Sequence, residues 1–235
     1  YVGTGWKDDN VKNSSILRLN TMMPTGDSKP VMNVDLGTLP EGTKMSESMR
    51  GLSVRDGVLV CSLFHLNQLI LVDAKKEMKE KTKTKSEELV RIPVESPRGS
   101  AFDGQGRFLV LSGTKILRYP KIPDAKTKSE TIVEKGLEDP KGITLDAEGN
   151  LYVSDWGASH QVKVFTAEGK FLRAIGNPGE PKAGPYDPIH MNRPWGITID
   201  SKNQLWIAEN DQLPRRVSVW TLDGKLVRAF YGPGK

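Results

Sequence analysis

The chain has 235 residues, 37% hydrophobic and 27% charged, with a formal net charge of +5. That length can bury a sizeable core, and that balance excludes an intrinsically disordered chain. No run of about 18 apolar residues occurs, which excludes a membrane-spanning helix, and the single cysteine, Cys61, excludes an intrachain disulfide. In chain order, Tyr1-Val-Gly-Thr reads as a strand, and residues 15–19 and 31–36 as two more. Arg50-Gly-Leu-Ser-Val54, Val58-Leu-Val-Cys61 and Gln68-Leu-Ile-Leu-Val72 follow, with Cys61 in an apolar run that predicts a buried strand residue. Residues 74–91 carry seven basic and four acidic side chains, over half of the net charge. Residues 75–88 are therefore expected to form an exposed outer hairpin loop. Three further groups begin at Pro97-Arg-Gly-Ser-Ala-Phe-Asp103, Pro140-Lys-Gly-Ile-Thr-Leu-Asp146 and Pro194-Trp-Gly-Ile-Thr-Ile-Asp200.

These groups are copies of one unit. Pro140 to Asp146 runs on through Ala-Glu-Gly-Asn, Leu151-Tyr-Val-Ser-Asp155, Gln161-Val-Lys-Val-Phe165, Thr-Ala-Glu-Gly and Lys170-Phe-Leu-Arg-Ala-Ile-Gly176. The copy from Pro194 is nearly superimposable, through Leu205-Trp-Ile-Ala-Glu209, Arg216-Val-Ser-Val-Trp220 and Lys225-Leu-Val-Arg-Ala-Phe230. The aligned glycines, Gly51, Gly99, Gly142 and Gly196, are spaced 48, 43 and 54 residues apart. Four short apolar runs per copy, separated by Gly, Asp and Asn turns, predict one four-stranded antiparallel propeller blade each. The chain thus reads as all-β: a single β-propeller segment of about five blades, at 1–40 (lacking its first strand), 41–94, 95–137, 138–190 and 191–235. It holds 19 strands, with Ile143, Leu145, Ile197 and Ile199 packed between blades. The pattern resembles the NHL repeat, strongly over 140–232 and more weakly over 50–137. That resemblance implies a six-bladed ring related to the gluconolactonase-like propellers. Such a ring needs one more blade and the missing strand, so the chain is expected to be part of a longer protein.

In a propeller the first strand of each blade lines the channel, and sites gather on the face where the chain leads into it. Directly before the aligned glycines stand Arg50, Arg98, Lys141 and Trp195. They are expected to ring the channel mouth, where converging cations favour a carboxylate, phosphate or sulfate. At the ends of the second strands stand Thr4, Ser62, Ser112, Asp155 and Glu209, with Asn210 and Asp211 following. Asp155 and Glu209 read as salt partners for the cations, as oxygen ligands for calcium, or as acids that order their own turns. The proline-rich insertion 177–192, with Tyr186 and His190 near its end, reads as a recognition loop or as spacing.

No nucleophile elbow, phosphate-cradling glycine loop or Cys/His cluster occurs. The strong repeat, the residues gathered on one face and the lack of a complete catalytic set point to a non-catalytic binding or interaction propeller, taking a protein or a small anionic or carbohydrate ligand. A gluconolactonase-like metal-dependent hydrolase is the alternative, although that family places Asn directly before the first-strand glycine, where this chain has Arg50, Arg98, Lys141 and Trp195. RNA binding, known for some NHL propellers, is a second alternative. It calls for cations beside stacking aromatics such as Trp156 and Trp195, and nucleic acid is not the expected partner. No cofactor is expected, calcium at the rim being the one candidate. The resemblance also implies a bacterial protein of the periplasm or cell surface.

Overall fold

The computed structural model describes residues 2–4, 14–17, 32–34, 41, 48–73, 89–181, 187–210 and 215–232. Among them, 19 strands form five antiparallel sheets, one of three strands and four of four. Helix is confined, among the described residues, to position 48 and a 3-10 turn at Phe64–Leu66. The first sheet is β1 (Val2–Thr4), β2 (Ser14–Leu17) and β3 (Met32–Val34). The second is β4 (Met49–Arg55), β5 (Val58–Leu63), β6 (Gln68–Asp73) and β7 (Val90–Pro93). The third is β8 (Pro97–Phe102), β9 (Phe108–Ser112), β10 (Lys115–Tyr119) and β11 (Glu130–Val133). The fourth is β12 (Pro140–Leu145), β13 (Leu151–Asp155), β14 (Gln161–Phe165) and β15 (Phe171–Ile175). The fifth is β16 (Pro194–Ile199), β17 (Gln204–Glu209), β18 (Arg216–Thr221) and β19 (Leu226–Tyr231). In every sheet sequence neighbours are spatial neighbours, the meander of a β-propeller blade. The predicted 75–88 loop lies outside the described residues.

Turn chemistry explains why the repeats fold this way. In the third, fourth and fifth sheets the Asp that closes the first strand accepts hydrogen bonds from the turn behind it. Asp103 accepts from the Gln105 and Arg107 N–H groups, and Asp200 from those of Lys202 and Gln204, all at 2.8–2.9 Å. Asp146 does the same for Asn150 through both its backbone and its side-chain amide. Each carboxylate replaces water for backbone donors that the reversal would otherwise leave unpaired. The second carboxylate oxygen of Asp200 accepts the Trp206 indole N–H at 2.8 Å.

The chain divides into two compact units, Tyr1–Arg98 with Ile122–Lys128, and Gly99–Lys121 with Ser129–Lys235. In the first, Leu59, Cys61 and Leu63 alternate along β5 and meet Ile70 and Val72 of β6 in one buried cluster. Cys61 is fully buried as expected, and burial pushes its thiol up to about 12. In the second unit, the cores lie between sheets. Leu109, Leu111 and Ile116 of the third sheet pack with Ile143, Leu151 and Val153 of the fourth. Tyr152, Val162, Val164 and Ile175 of the fourth pack with Leu205, Ile207 and Trp220 of the fifth. Leu145, Ile197 and Ile199 lie against these clusters, so the expected register is borne out.

Candidate functional site

The residue before the aligned glycine has a structural signature. Register skips between Met49 and Gly51, Pro140 and Gly142, and Pro194 and Gly196. Arg50, Lys141 and Trp195 are therefore bulge residues, left out of the ladder and free to aim their side chains away from it. Their carbonyls do separate work. A Cβ on Gly99 would lie 2.7 Å from the Lys141 carbonyl oxygen, and one on Gly142 would lie 2.7 Å from that of Trp195. The Ser154 hydroxyl accepts the Gly142 N–H at 2.9 Å and donates to the Trp195 carbonyl at 2.6 Å. Glycine stands there because backbone from the next blade occupies the place of a side chain.

In the first unit, Arg50 and Arg98 meet over one ring. Their guanidinium carbons lie 5.9 and 5.1 Å from the centroid of Phe64, which follows β5. His65 packs edge-on against Phe64, 5.1 Å between centroids. In the second unit, Lys141 and Trp195 meet at the repeat-equivalent aromatic, Trp156, which follows β13. The Lys141 ammonium is 4.5 Å from the Trp156 centroid, 5.2 Å from that of Trp195 and 2.7 Å from the Asp139 carboxylate. Trp156 and Trp195 pack edge-to-face at 5.5 Å, and the Arg193 guanidinium carbon lies 5.2 Å from Trp156. The Lys141 side chain is 11% exposed and Asp139 40%. The charge is therefore nearly enclosed, with one open flank at the acid. Each cation–ring contact is worth about 0.5–2 kcal/mol, more as water is excluded.

The acids expected at the rim are engaged inward. Asp155 is fully buried and accepts the Glu138 and Asp139 N–H groups at 3.1 and 2.7 Å. Glu209 occupies the same repeat position and accepts the Asn192 N–H at 2.7 Å. Of the three readings open on sequence, the acid that orders its own surroundings is the one seen: each carboxylate ties down the segment that leads into the first strand. Glu209 also binds Arg216 at 2.6 Å and the Ser218 hydroxyl at 2.8 Å, and both charged side chains are almost completely buried. Arg216 spends its remaining donors on the carbonyls of Asp187, Pro188 and His190. His190, a candidate recognition residue, thus sits in an anchored strap, its Nδ1 2.6 Å from the Asp187 carboxylate. Asn210 is exposed, with its N–H on the Arg193 carbonyl at 3.0 Å. Tyr186, Asp211 and the Thr4 side chain lie outside the described residues. One alignment is corrected: Ser62 pairs with Gly51, the place Ser154 holds opposite Gly142, so the counterpart of Asp155 is Leu63.

Sequence reasoning did not single out Phe64, Arg193 or Arg216. The aromatic directly after the second strand was a usable signal for Phe64, as it was for Trp156. Arg193 and Arg216 carry no local signature, because their partners are distant in sequence. Among the described residues, no group of three or more His, Cys, Asp or Glu side chains could hold a metal ion.

A family model described as the NHL repeat matches residues 137–165. No curated protein matches the sequence. Among solved structures, a streptogramin B lyase is similar at 18% identity with a TM-score of 0.56, covering 79% of this chain and 55% of the lyase. A hydrazine synthase of Kuenenia stuttgartiensis is similar at 15% identity and 0.55, covering 83% and 53%. A Bacteroides caccae protein of unknown function is similar at 14% identity and 0.60, covering 97% and 70%. The chain spans about half the length of the first two. At these identities the likeness is one of fold, the β-propeller.

Proposed function

We propose that this chain is a non-catalytic binding propeller of an exported bacterial protein, and that it takes an anionic ligand at the Lys141–Trp156–Trp195 corner. The observation that carries the reading is the Lys141 ammonium held within 4.5 and 5.2 Å of two indole centroids. The ring faces attract the ammonium and exclude water from it, so an approaching anion meets a stronger field than in bulk solvent. Indole faces beside a cation suit a sugar ring that carries a carboxylate or sulfate. Asp139 occupies the cation from one side and is the group such an anion would displace. A hydrolytic reading needs free acids near the channel, and Asp155 and Glu209 are committed to backbone N–H donors.

Tryptophan fluorescence titration with a sulfated oligosaccharide tests the proposal, with a neutral oligosaccharide and single-stranded RNA as comparisons. Lys141→Ala is expected to weaken the sulfated ligand by about 1.5–3 kcal/mol, the worth of a charged hydrogen bond. Asp139→Asn is expected to tighten it. Equal affinity for the neutral oligosaccharide, or no loss on Lys141→Ala, overturns the reading; preference for RNA moves it to the stacking alternative. A thermal shift with calcium or zinc addresses the metal-dependent alternative, which requires stabilisation by the ion.

A further inference from the structure

The third strands of the second and fourth sheets begin behind the same device. Asn67 stands directly before β6 and His160 directly before β14, and both hold left-handed backbone, with φ of 51° and 48°. Each side chain accepts one N–H from the segment leading into the next sheet. The Ser96 N–H donates to Asn67 Oδ1 at 2.7 Å, and the Arg193 N–H donates to His160 Nδ1 at 3.3 Å. Ser96 and Arg193 match as well. Each stands directly before the proline that opens a first strand, and each has a positive φ, 43° and 53°. Residues other than glycine seldom adopt that conformation, and it persists where neighbouring contacts hold it.

The two devices differ in what they carry. In the first unit the latched residue is Ser96, whose side chain is short. In the second it is Arg193, and its guanidinium carbon reaches to 5.2 Å from the Trp156 centroid. The Lys141 ammonium is 4.5 Å from the same centroid, so two cations share one indole. His160 is suited to hold the arginine in place. Its side chain is only 6% exposed. With Nδ1 accepting from Arg193, the ring proton lies on Nε2, which is 3.7 Å from the Glu180 carboxylate. A donor at one nitrogen and an acid beside the other select one orientation of the ring.

We propose that Arg193 is a second cation of the Lys141–Trp156–Trp195 site, that His160 is its positioning residue, and that the ligand accordingly bears two anionic groups, one for each cation. This role rests on the reading of that corner as an anion site and adds a charge requirement to it. The guanidinium is a planar fork that grips a sulfate or carboxylate through two N–H groups, whereas the ammonium is a point charge. A sugar lying along Trp156 with one anionic substituent toward Lys141 and another toward Arg193 satisfies both. The latch itself belongs to the repeat, since Asn67 builds it too; the arginine it holds at an indole belongs to the site.

Tryptophan fluorescence titration with a disulfated disaccharide and with its monosulfated counterpart tests the proposal. The parent protein is expected to prefer the disulfated probe by about tenfold or more, the worth of one charged hydrogen bond. Arg193→Ala is expected to abolish that preference and His160→Ala to reduce it. His160→Asn is expected to restore it, because Asn67 performs the same task in the first unit. In the Arg193→Ala background, His160→Ala is expected to change the affinity no further. An effect that persists there makes His160 structural only and overturns the positioning role. Equal affinity of the parent for both probes, or a preference that survives Arg193→Ala, overturns the second cation and leaves the Lys141 site standing. Binding of neither probe overturns the anion reading of the corner and the role of Arg193 with it. Where His160→Ala fails to fold, His160→Asn decides: a preference lost in that variant overturns the equivalence with Asn67 and the positioning role.

Discussion

Asp155 shows at the scale of one residue how a rim acid can be structural. Its carboxylate is fully buried, and its nearest donors are the backbone N–H groups of Glu138 and Asp139. Removing it leaves buried donors without an acceptor, a larger loss than the net worth of the bonds themselves. Asp155→Ala is expected to cost about 2–3 kcal/mol in a denaturant titration, with the slope unchanged. A cost near zero would return Asp155 to the ligand-binding set. Glu209 and Arg216 extend the principle to charge, since a buried pair whose arginine also donates to the carbonyls of Asp187, Pro188 and His190 offsets part of the desolvation cost of burying ions.

At the scale of the element, the bulge is the device that makes a rim. One extra residue between Pro140 and Gly142 lifts Lys141 out of the ladder, while its carbonyl turns toward Gly99. The glycines are fixed by neighbouring backbone and not by turn conformation, so their tolerance differs from that of loop glycines. Gly142→Ala, with its Cβ 2.7 Å from the Trp195 carbonyl oxygen, is expected to cost about 1–3 kcal/mol as overpacking. Gly104→Ala, with nothing within 4 Å of the added carbon, is the control. It is expected to stay within about 0.5 kcal/mol of the parent in the same denaturant titration. The four-strand meander was legible from alternation and turn residues alone. The bulge was not, because an extra residue changes pairing without changing the local pattern of apolar side chains.

For the whole molecule, the titrating groups bracket a plateau of stability. Burial pushes the Asp103 carboxyl up, but hydrogen bonds and charge from Arg107 bring it below its ordinary value. Asp187 is likewise lowered, by the Ile189 and His190 N–H groups and the His190 ring acting against desolvation. Groups with depressed values contribute stability that is present above about pH 4, the unfolded carboxylate value. That stability is lost as pH falls through the folded value. Tyr152 is pushed the other way, to about 12, by burial and then by Asp146, and Cys61 also to about 12 by burial. Their contribution is intact below the unfolded values of about 8.5–10 and is lost as pH rises toward 12. Thermal midpoints are expected to be flat between about pH 5 and 8 and to fall on both sides. Tyr152→Phe should flatten part of the alkaline limb. An alkaline limb unchanged by that substitution would show that the phenol is not the group responsible.

The blade repeat, its turns and the alternating core were fixed by sequence alone, because each depends on groups a few residues apart: an Asp and the turn behind it, or every second side chain of a strand. The candidate site was legible only in part. The bulge residues stood out by their place before the glycines, and their aromatic partners Phe64 and Trp156 by following the second strands. Tertiary structure decided that Asp155 and Glu209 turn inward. It also decided that Arg216 fastens the strap at 187–190. Each of these outcomes joins groups far apart in the chain, as Ser154 and Trp195 are joined across 41 residues. No local pattern carries that information, because the energy of a buried polar group depends on the partners that folding brings to it.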